Sequence, residues 1–275
     1  MARCNGRLIA IGVICALCGM PHNSALYAQR TKTSLRAGEQ RKAEKGLKDN
    51  RYFFYFIDSS VSNFGSEEEK KLFKEAIQRD VLAQLLYMRF QFKESFDEIR
   101  KSQKLLVELY GITLRKDIAA AKNLLDETAP GVINSKDEKA RTYLRLGYRS
   151  MKNAQTNCGM GDNYQERLYS MRLLQYVKAI KMAKEGRRYA FLAMIESSIP
   201  EVEKSTRRMT FDSIEKELLR TAPADKTELY RQIHRDNYYI ITGGASYYDQ
   251  IWDRPELQDL EEYTRYLQHE QYPEE

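Results

Sequence analysis

Apolar residues recur at spacings of three and four along most of the chain after Ser66, and this pattern constrains the fold more than any single motif. Two sets show it clearly: Ala140, Leu144, Gly147, Met151 and Ala154, then Tyr169, Leu173, Tyr176, Ile180 and Ala183. Side chains at such spacings share one face of an α-helix, and that face is normally buried. We therefore expect a chain of amphipathic helices whose apolar faces form the core.

Several helix starts can be recognised from a capping residue followed three positions later by a glutamate. Ser66 with Glu69 forms such a pair, and similar pairs begin at Ser95, Ser135, Asn163 and Asp225. The runs YFFYFIDSSV at 52–61 and NYYIITGG at 237–244 have strand-like composition, but neither has an evident pairing partner. The predicted fold class is all-α, with antiparallel helix pairs in an elongated bundle or a degenerate tetratricopeptide-like solenoid.

The first 28 residues have the features of a secretory signal peptide. Arg3 and Arg7 precede an apolar run of 13 residues, Leu8 to Met20, which is too short to span a bilayer. We expect cleavage after Ala28, with no transmembrane segment after cleavage. The expected location is the periplasm.

The remaining chain is expected to have two parts. Residues 29–51 carry +5 of the formal net charge of +6 and read as a basic, flexible tail. Residues 1–28 carry +2, which leaves −1 for an all-helical body at 52–275. This body could form two lobes, about 52–160 and 161–275. Because the body is nearly neutral, we expect no nucleic-acid partner.

The chain offers little catalytic chemistry. After residue 28 it contains one cysteine, Cys158, and two histidines, His234 and His269, without metal-ligand spacing. Phosphate-binding loops, dinucleotide fingerprints and nucleophile elbows are missing from the sequence. A Cys158–His234 nucleophile pair would need spatial proximity, which no local pattern supports. We expect a non-enzymatic protein with no cofactor and no metal.

The segment around Cys158 is expected to be a structural corner between two helices. Gly159 and Gly161 fit the left-handed position that ends a helix. Asn163 would then cap the next helix, with Glu166 as its partner.

Aromatic residues are concentrated near the C-terminus, and they give the candidate interaction residues. The chain has 19 tyrosines and one tryptophan, and the candidates among them are Tyr238, Tyr239, Tyr247, Tyr248 and Trp252. Tyrosine and tryptophan suit protein–protein contacts because they combine a large apolar area with a polar group. The alternative is that they fill helix corners within the core.

The basic segment supplies a second candidate surface. Arg41, Lys42 and Lys45 lie within residues 29–51, where an arm could dock on an acidic partner or a membrane surface.

Four segments resemble the flagellar-coiling proteins of spirochaetes: FKESFDEIRKSQKLLVELYGITL, INSKDEKARTYLRLGYRSMKNA, GMGDNYQERLYSMRLLQYVKA and EGRRYAFLA. Together they span about residues 92–193. The resemblance implies an exported, helical structural component of the periplasmic flagellar filament sheath that promotes filament coiling and motility. It also implies the flagellin core and other sheath proteins as partners, with self-assembly on the filament.

The alternative hypothesis is a tetratricopeptide-like periplasmic adaptor that binds a partner peptide or helix. A groove lined by asparagine, lysine and arginine would favour the adaptor. Aromatic patches on convex surfaces would favour assembly in a lattice, where weak contacts are multiplied.

Overall fold

The computed structural model describes the backbone of residues 24–199 and 210–271. Side chains are described for residues 36–199 and 210–267. Within these ranges the chain forms nine α-helices and one 3₁₀ helix, with no strand, so the predicted all-α class is confirmed. The predicted signal peptide lies largely outside the described residues. Of the described residues, 24–38 belong to one unit and those from 39 onward to a second, compact one.

Five long helices come first, followed by shorter ones. The long helices are α1 (Ser24–Phe64), α2 (Glu67–Met88), α3 (Phe92–Ser135), α4 (Glu138–Asp162) and α5 (Tyr169–Ser198). The shorter ones are α6 (Phe211–Thr221), α7 (Thr227–Asp236), α8 (Tyr247–Asp253), the 3₁₀ helix (Leu257–Asp259) and α9 (Glu261–Gln271).

The predicted cap of α2 is present. The Ser66 side chain accepts a hydrogen bond from the backbone N–H of Glu69, and the Glu69 carboxylate accepts one from the backbone N–H of Ser66. Such a cap stabilises a helix by about 1 kcal/mol. Glu69 also binds Thr113 and Lys116 of α3, so the cap joins two helices.

Helices α2 and α3 form an antiparallel pair. Ser95 donates to the carbonyl of Ala83 and Ser102 donates to the carbonyl of Ala76, each at 2.8 Å. As the residue number of the donor rises along α3, the residue number of its acceptor falls along α2, so the two helices run antiparallel. Ser95 was predicted to cap a helix, but it lies inside α3 and serves this contact instead.

Helices α4 and α5 form a second antiparallel pair. The Gly161 carbonyl accepts from Arg172, and Gly147 approaches Gly186 closely in the middle of both helices. A side chain at Gly147 would clash with Leu125 of α3 and crowd the Gly186 carbonyl. The stripe predicted on α4, from Ala140 to Ala154, is buried as expected.

Two hydrophobic cores share the long helices α3 and α5. One core contains α1, α2 and the first halves of α3 and α5, around Phe53, Phe73 and Tyr110. The other contains α4, α6, α7 and the second halves of α3 and α5, around Leu125 and Phe191. Because α3 and α5 run through both cores, the chain is not divided near residue 160 into the two suggested lobes.

The basic segment 29–51 differs from the flexible tail predicted for it, because helix α1 runs through it. Asn50 is fully buried and donates to Asp80 of α2 at 2.7 Å, while Gln103 of α3 donates to Asn50. Gly46 lies against Ile99, where a side chain would clash. From residue 36 onward, where side chains are described, the charged residues of this segment lie on the outer face, and small or polar residues allow close packing on the inner face.

The predicted corner is displaced. Gly159 and Gly161 are helical, and α4 continues to Asp162. Asn163 follows the end of α4 rather than capping α5, whose N-cap residue Leu168 makes no side-chain cap bond. Gly161 has a packing role, because a Cβ atom there would lie 2.5 Å from the Tyr176 ring. Glu166 is exposed in the connection between the helices.

Candidate protein-interaction surface

The aromatic run in the C-terminal third of α1, at residues 52–56, has an inner face and an outer face. Phe53, Phe54 and Ile57 are buried in the first core. Tyr52 and Tyr55 lie on the other side of the helix and are 41% and 61% exposed. The helical twist therefore divides one aromatic run between the core and the surface.

Tyr239 extends the outer face of α1 from a distant part of the sequence. Its ring stacks on Tyr55 with centroids 5.9 Å apart and meets the Phe56 ring edge-on at 5.3 Å. We call Tyr52, Tyr55, Phe56 and Tyr239 the aromatic surface.

A lysine of α5 holds one side of the aromatic surface. The Lys181 Nζ atom lies 3.8 Å from the Phe56 ring centroid and donates to the Tyr52 hydroxyl at 3.1 Å. A cation over an aromatic face contributes about 0.5–1 kcal/mol when exposed. The contact fixes two rings relative to one another.

Tyr239 occupies an unusual backbone conformation. Its φ angle is 60°, in the left-handed region that favours glycine. The turn follows the end of α7, where Tyr239 N–H donates to the Asp236 carbonyl and Ile240 N–H donates to the Arg235 carbonyl. A left-handed conformation costs an L-residue about 1–2 kcal/mol. Such strain persists where surrounding contacts hold the residue in place.

A buried ion network lies at the base of this turn. Asp236 of α7 accepts from Lys184 Nζ at 2.8 Å and from Arg187 at 2.6 Å, both on α5. Arg187 also donates to Asp117 of α3, and Lys184 donates to Ser59 of α1. The network therefore fixes the end of α7 against α1, α3 and α5.

Burial and ion pairing shift the pKa values of the two carboxylic acids of this network in opposite directions. Burial raises the pKa of Asp117. Burial also works to raise the pKa of Asp236, but the cations of Lys184 and Arg187 outweigh it and hold that pKa below its usual value. Lys184 Nζ lies 4.5 Å from the Tyr239 ring centroid, so the network reaches the aromatic surface directly.

The other predicted aromatic residues pack against the first core. Tyr248 lies 5.3 Å from the Phe54 ring and stacks on Trp252 at 5.7 Å. Tyr247 stacks on Phe73 at 6.2 Å. Of the five aromatic candidates, Tyr239 is thus the one that the structure brings to the aromatic surface.

The remaining candidates lie elsewhere. Tyr238 is half-buried against Phe211, with the Arg188 guanidinium 4.9 Å from its ring centroid. Arg41, Lys42 and Lys45 are exposed on α1, and Lys45 pairs with Asp49.

Cys158 and His234 occupy separate environments. The Cys158 thiol borders the first core and faces Asp162 at 4.0 Å, and burial raises its pKa, which disfavours the thiolate. His234 is buried against Phe211 and contacts the Phe211 carbonyl at 3.2 Å. Within the described ranges, no group of three or more His, Cys, Asp or Glu residues could hold a metal ion.

Sequence reasoning missed Tyr52, Tyr55 and Lys181. The i, i+3 spacing of the two tyrosines is the signal that could have found them. Phenylalanines fill the positions between the two tyrosines, so the run looks uniformly aromatic and this spacing is not evident.

The described helices include none that is long and apolar enough to cross a membrane. The fold and the aromatic surface define an all-α protein with an ordered set of rings, two of them exposed, suited to contact with another macromolecule. The chain belongs to the family described as "Surface protein adhesin OmpL37", whose model matches residues 37–265. No curated protein and no solved structure matches the chain. The family match supports a surface-protein class and says nothing specific to flagellar coiling.

Proposed function

We propose that the protein is a non-enzymatic, extracytoplasmic binding protein whose aromatic surface contacts another protein. The observation that carries the proposal is the exposure of Tyr55, at 61%, on a ring cluster that the fold holds in place. Membership of a surface-adhesin family supports a location outside the cytoplasm and a role in surface contacts.

The aromatic surface has the physical properties of an interface centre. Tyrosine is enriched at binding hot spots, where large rings are desolvated on contact. The rings of Tyr55 and Tyr239 are held by stacking and by the strained turn, and Lys181 holds Phe56 and Tyr52 beside them, so little conformational freedom remains to be lost on binding. Such preorganisation raises affinity without adding contacts.

The finer proposal is that the partner lies on the periplasmic flagellar filament. The resemblance of residues 92–193 to flagellar-coiling proteins supports it. In this version the partners are the flagellin core and other sheath proteins, and repeated weak contacts along a lattice provide the overall affinity.

The test is co-sedimentation of the purified protein with isolated filaments and, in parallel, with outer-membrane fragments. The variant Tyr52→Ser/Tyr55→Ser removes the exposed rings, and Phe90→Ser removes an aromatic side chain of similar exposure, 66%, at the turn between α2 and α3. We expect the double variant to lose at least tenfold in affinity and the control to bind like the wild type. Equal loss in both variants would contradict the proposed surface.

The two fractions separate the finer proposal from the coarser one. Binding to filaments that depends on Tyr52 and Tyr55 supports the sheath role. Binding confined to outer-membrane fragments, with the same dependence, supports a surface adhesin and overturns the sheath role.

A further inference from the structure

A cavity of about 340 Å³ opens between α3, α5 and α7. Its lining contains none of the residues of the aromatic surface, so it does not depend on the proposed function. Its volume is more than twice the ~150 Å³ of a cavity that accommodates benzene. The space suits a ligand with roughly ten non-hydrogen atoms.

Apolar atoms make up most of the surface of the cavity wall. Ala120 and Leu124 of α3 face Leu229 and Ile233 of α7 across it. Leu229 is 47% exposed although it lies in an amphipathic helix whose other apolar residues are buried or half-buried. An aliphatic chain in the cavity would cover this exposed apolar surface.

One residue of the lining carries a buried donor without a partner among the described residues. Arg187 is 1% exposed and lines the cavity. Its terminal nitrogens bind Asp117 and Asp236, but its Nε atom has no hydrogen-bond partner among the described residues. Buried polar groups normally have partners, so this N–H suits a ligand oxygen.

The charged groups of the lining favour an anionic ligand, because its cations outnumber its carboxylates and each carboxylate is paired with a cation. The lining has three cations, Lys116, Arg187 and Lys226, and two carboxylates. The Asp117 carboxylate accepts from Arg187 and Ser60.

The second carboxylate, Glu127, accepts from Lys226 at 2.8 Å and from Tyr230 at 3.2 Å. An ammonium group has three N–H donors, so Lys226 has donors beyond the one that Glu127 accepts.

We propose that this cavity binds a small ligand with a short aliphatic chain and a terminal carboxylate. The chain lies against Leu124, Leu229 and Ile233, and the carboxylate accepts hydrogen bonds from the cations of the lining. A short fatty acid and the C-terminal leucine of a peptide share this chemistry.

The test is isothermal titration calorimetry of the full-length protein with sodium octanoate, 1-octanol and a tetrapeptide that ends in leucine. We expect octanoate or the peptide to bind with a Kd on the order of 10⁻⁴ M, as the size of such ligands permits. 1-Octanol is the neutral control for octanoate, because it has the same aliphatic chain without the carboxylate. The peptide with an amidated C-terminus is the neutral control for the peptide. We expect each neutral probe to bind at least fivefold more weakly than its carboxylate.

The variant Ala120→Leu fills the cavity and is expected to weaken binding at least tenfold. Its matched control is Ala119→Leu, because Ala119 is the exposed neighbour on α3 and does not line the cavity. Leu229→Glu, at an exposed position, is expected to weaken carboxylate binding by repulsion even if Ala120→Leu fails to fold.

Binding of octanoate alone assigns a fatty acid, and binding of the peptide alone assigns a peptide C-terminus. The proposal is overturned if neither carboxylate binds or if the neutral probes bind as tightly. It is also overturned if the Ala119 and Ala120 variants bind alike or, should Ala120→Leu not fold, if Leu229→Glu binds like the wild type.

Discussion

Helix α1 is flanked by two aromatic clusters that are alike in composition and differ in exposure. On one side, Tyr247, Tyr248 and Trp252 of α8 fold onto Phe54 and Phe73 and extend the core. On the other side lies the aromatic surface, in which two tyrosines are more than 40% exposed. The comparison shows that aromatic density marks a region of contact but does not tell whether the contact is internal or external.

Local hydrogen bonds account for the difference between the clusters. Helix α8 is anchored to α1, because Ser246 donates to Asp58 at 2.7 Å and the backbone N–H of Tyr247 donates to Ser62 at 3.0 Å. These bonds turn the α8 rings inward. Tyr239 is instead held from below by the buried ion network, with its ring beside the exposed Tyr55.

The largest expected effect comes from the buried ion network. Asp236→Ala leaves Lys184 and Arg187 buried with one remaining carboxylate, Asp117, and such a loss costs about 3–5 kcal/mol. We expect this decrease in the free energy of unfolding, measured by urea denaturation. The control Asp126→Ala removes an exposed pair with Lys122 and a hydrogen bond from Tyr148, and it should lower the free energy of unfolding much less. Equal effects would mean that the network does not fix the turn.

The α8 cluster gives the next effect. Replacing Tyr248 and Trp252 with alanine removes half-buried rings from the first core and should lower the free energy of unfolding by about 2–3 kcal/mol. Partner binding by the folded protein should remain near the wild-type level. Loss of binding with unchanged stability would reverse the roles assigned to the two clusters.

A smaller effect concerns pH and the buried Asp80, which helps to hold α1 beside both clusters. Burial raises the pKa of Asp80 to about 6, although Asn50 and Gln84 donate to it. The folded state therefore binds this proton more tightly than the unfolded state, and the Asp80 contribution to stability falls as pH rises from about 4 to 6. Two pKa units correspond to about 2–3 kcal/mol.

The measurement is urea denaturation at pH 4 and pH 7 for the wild type and Asp80→Asn. Other carboxylates titrate in both proteins, so the difference between their pH dependences isolates Asp80. We expect the wild type to lose about 2 kcal/mol more than the variant over this interval. Parallel pH dependences would show that Asp80 is not shifted.

The smallest effect is expected at the connection between α4 and α5. Asn163 is exposed and ends α4 through its backbone N–H, which alanine keeps, so Asn163→Ala should change the free energy of unfolding by less than about 0.5 kcal/mol. A loss near 1 kcal/mol would restore the capping role that the sequence suggested. Thermal unfolding of the two proteins is sufficient for the comparison.

The sequence predicts what depends on local periodicity. The stripe from Ala140 to Ala154 is buried, and the Ser66 cap is formed with Glu69. Both follow from contacts within a few residues. The all-α class follows from the same signals repeated along the chain.

The sequence does not predict what depends on distant partners. Asn50 reads as part of a charged tail, but Asp80 and Gln103 make its burial favourable. Gly161 reads as a helix end, but Tyr176 of the next helix needs the space that it leaves.

The aromatic surface also depends on residues that are distant in the sequence. Tyr55 and Tyr239 are far apart in the sequence, and only the end of α7 brings their rings together. The strand-like composition of residues 237–244 reflects a turn that positions one tyrosine.

Tyr239→Gly tests the central claim most directly, because glycine keeps the left-handed turn and removes the ring. Co-sedimentation with filaments and with outer-membrane fragments should be measured for this variant beside Tyr55→Ser and the control Phe90→Ser. The account predicts that the Tyr239 and Tyr55 variants stay folded by circular dichroism. Each should bind at least tenfold more weakly than the wild type to the fraction, filaments or outer-membrane fragments, that the wild type binds. Undiminished binding by both variants would contradict the account and place the interface elsewhere, with the exposed Arg41, Lys42 and Lys45 as the next residues to test.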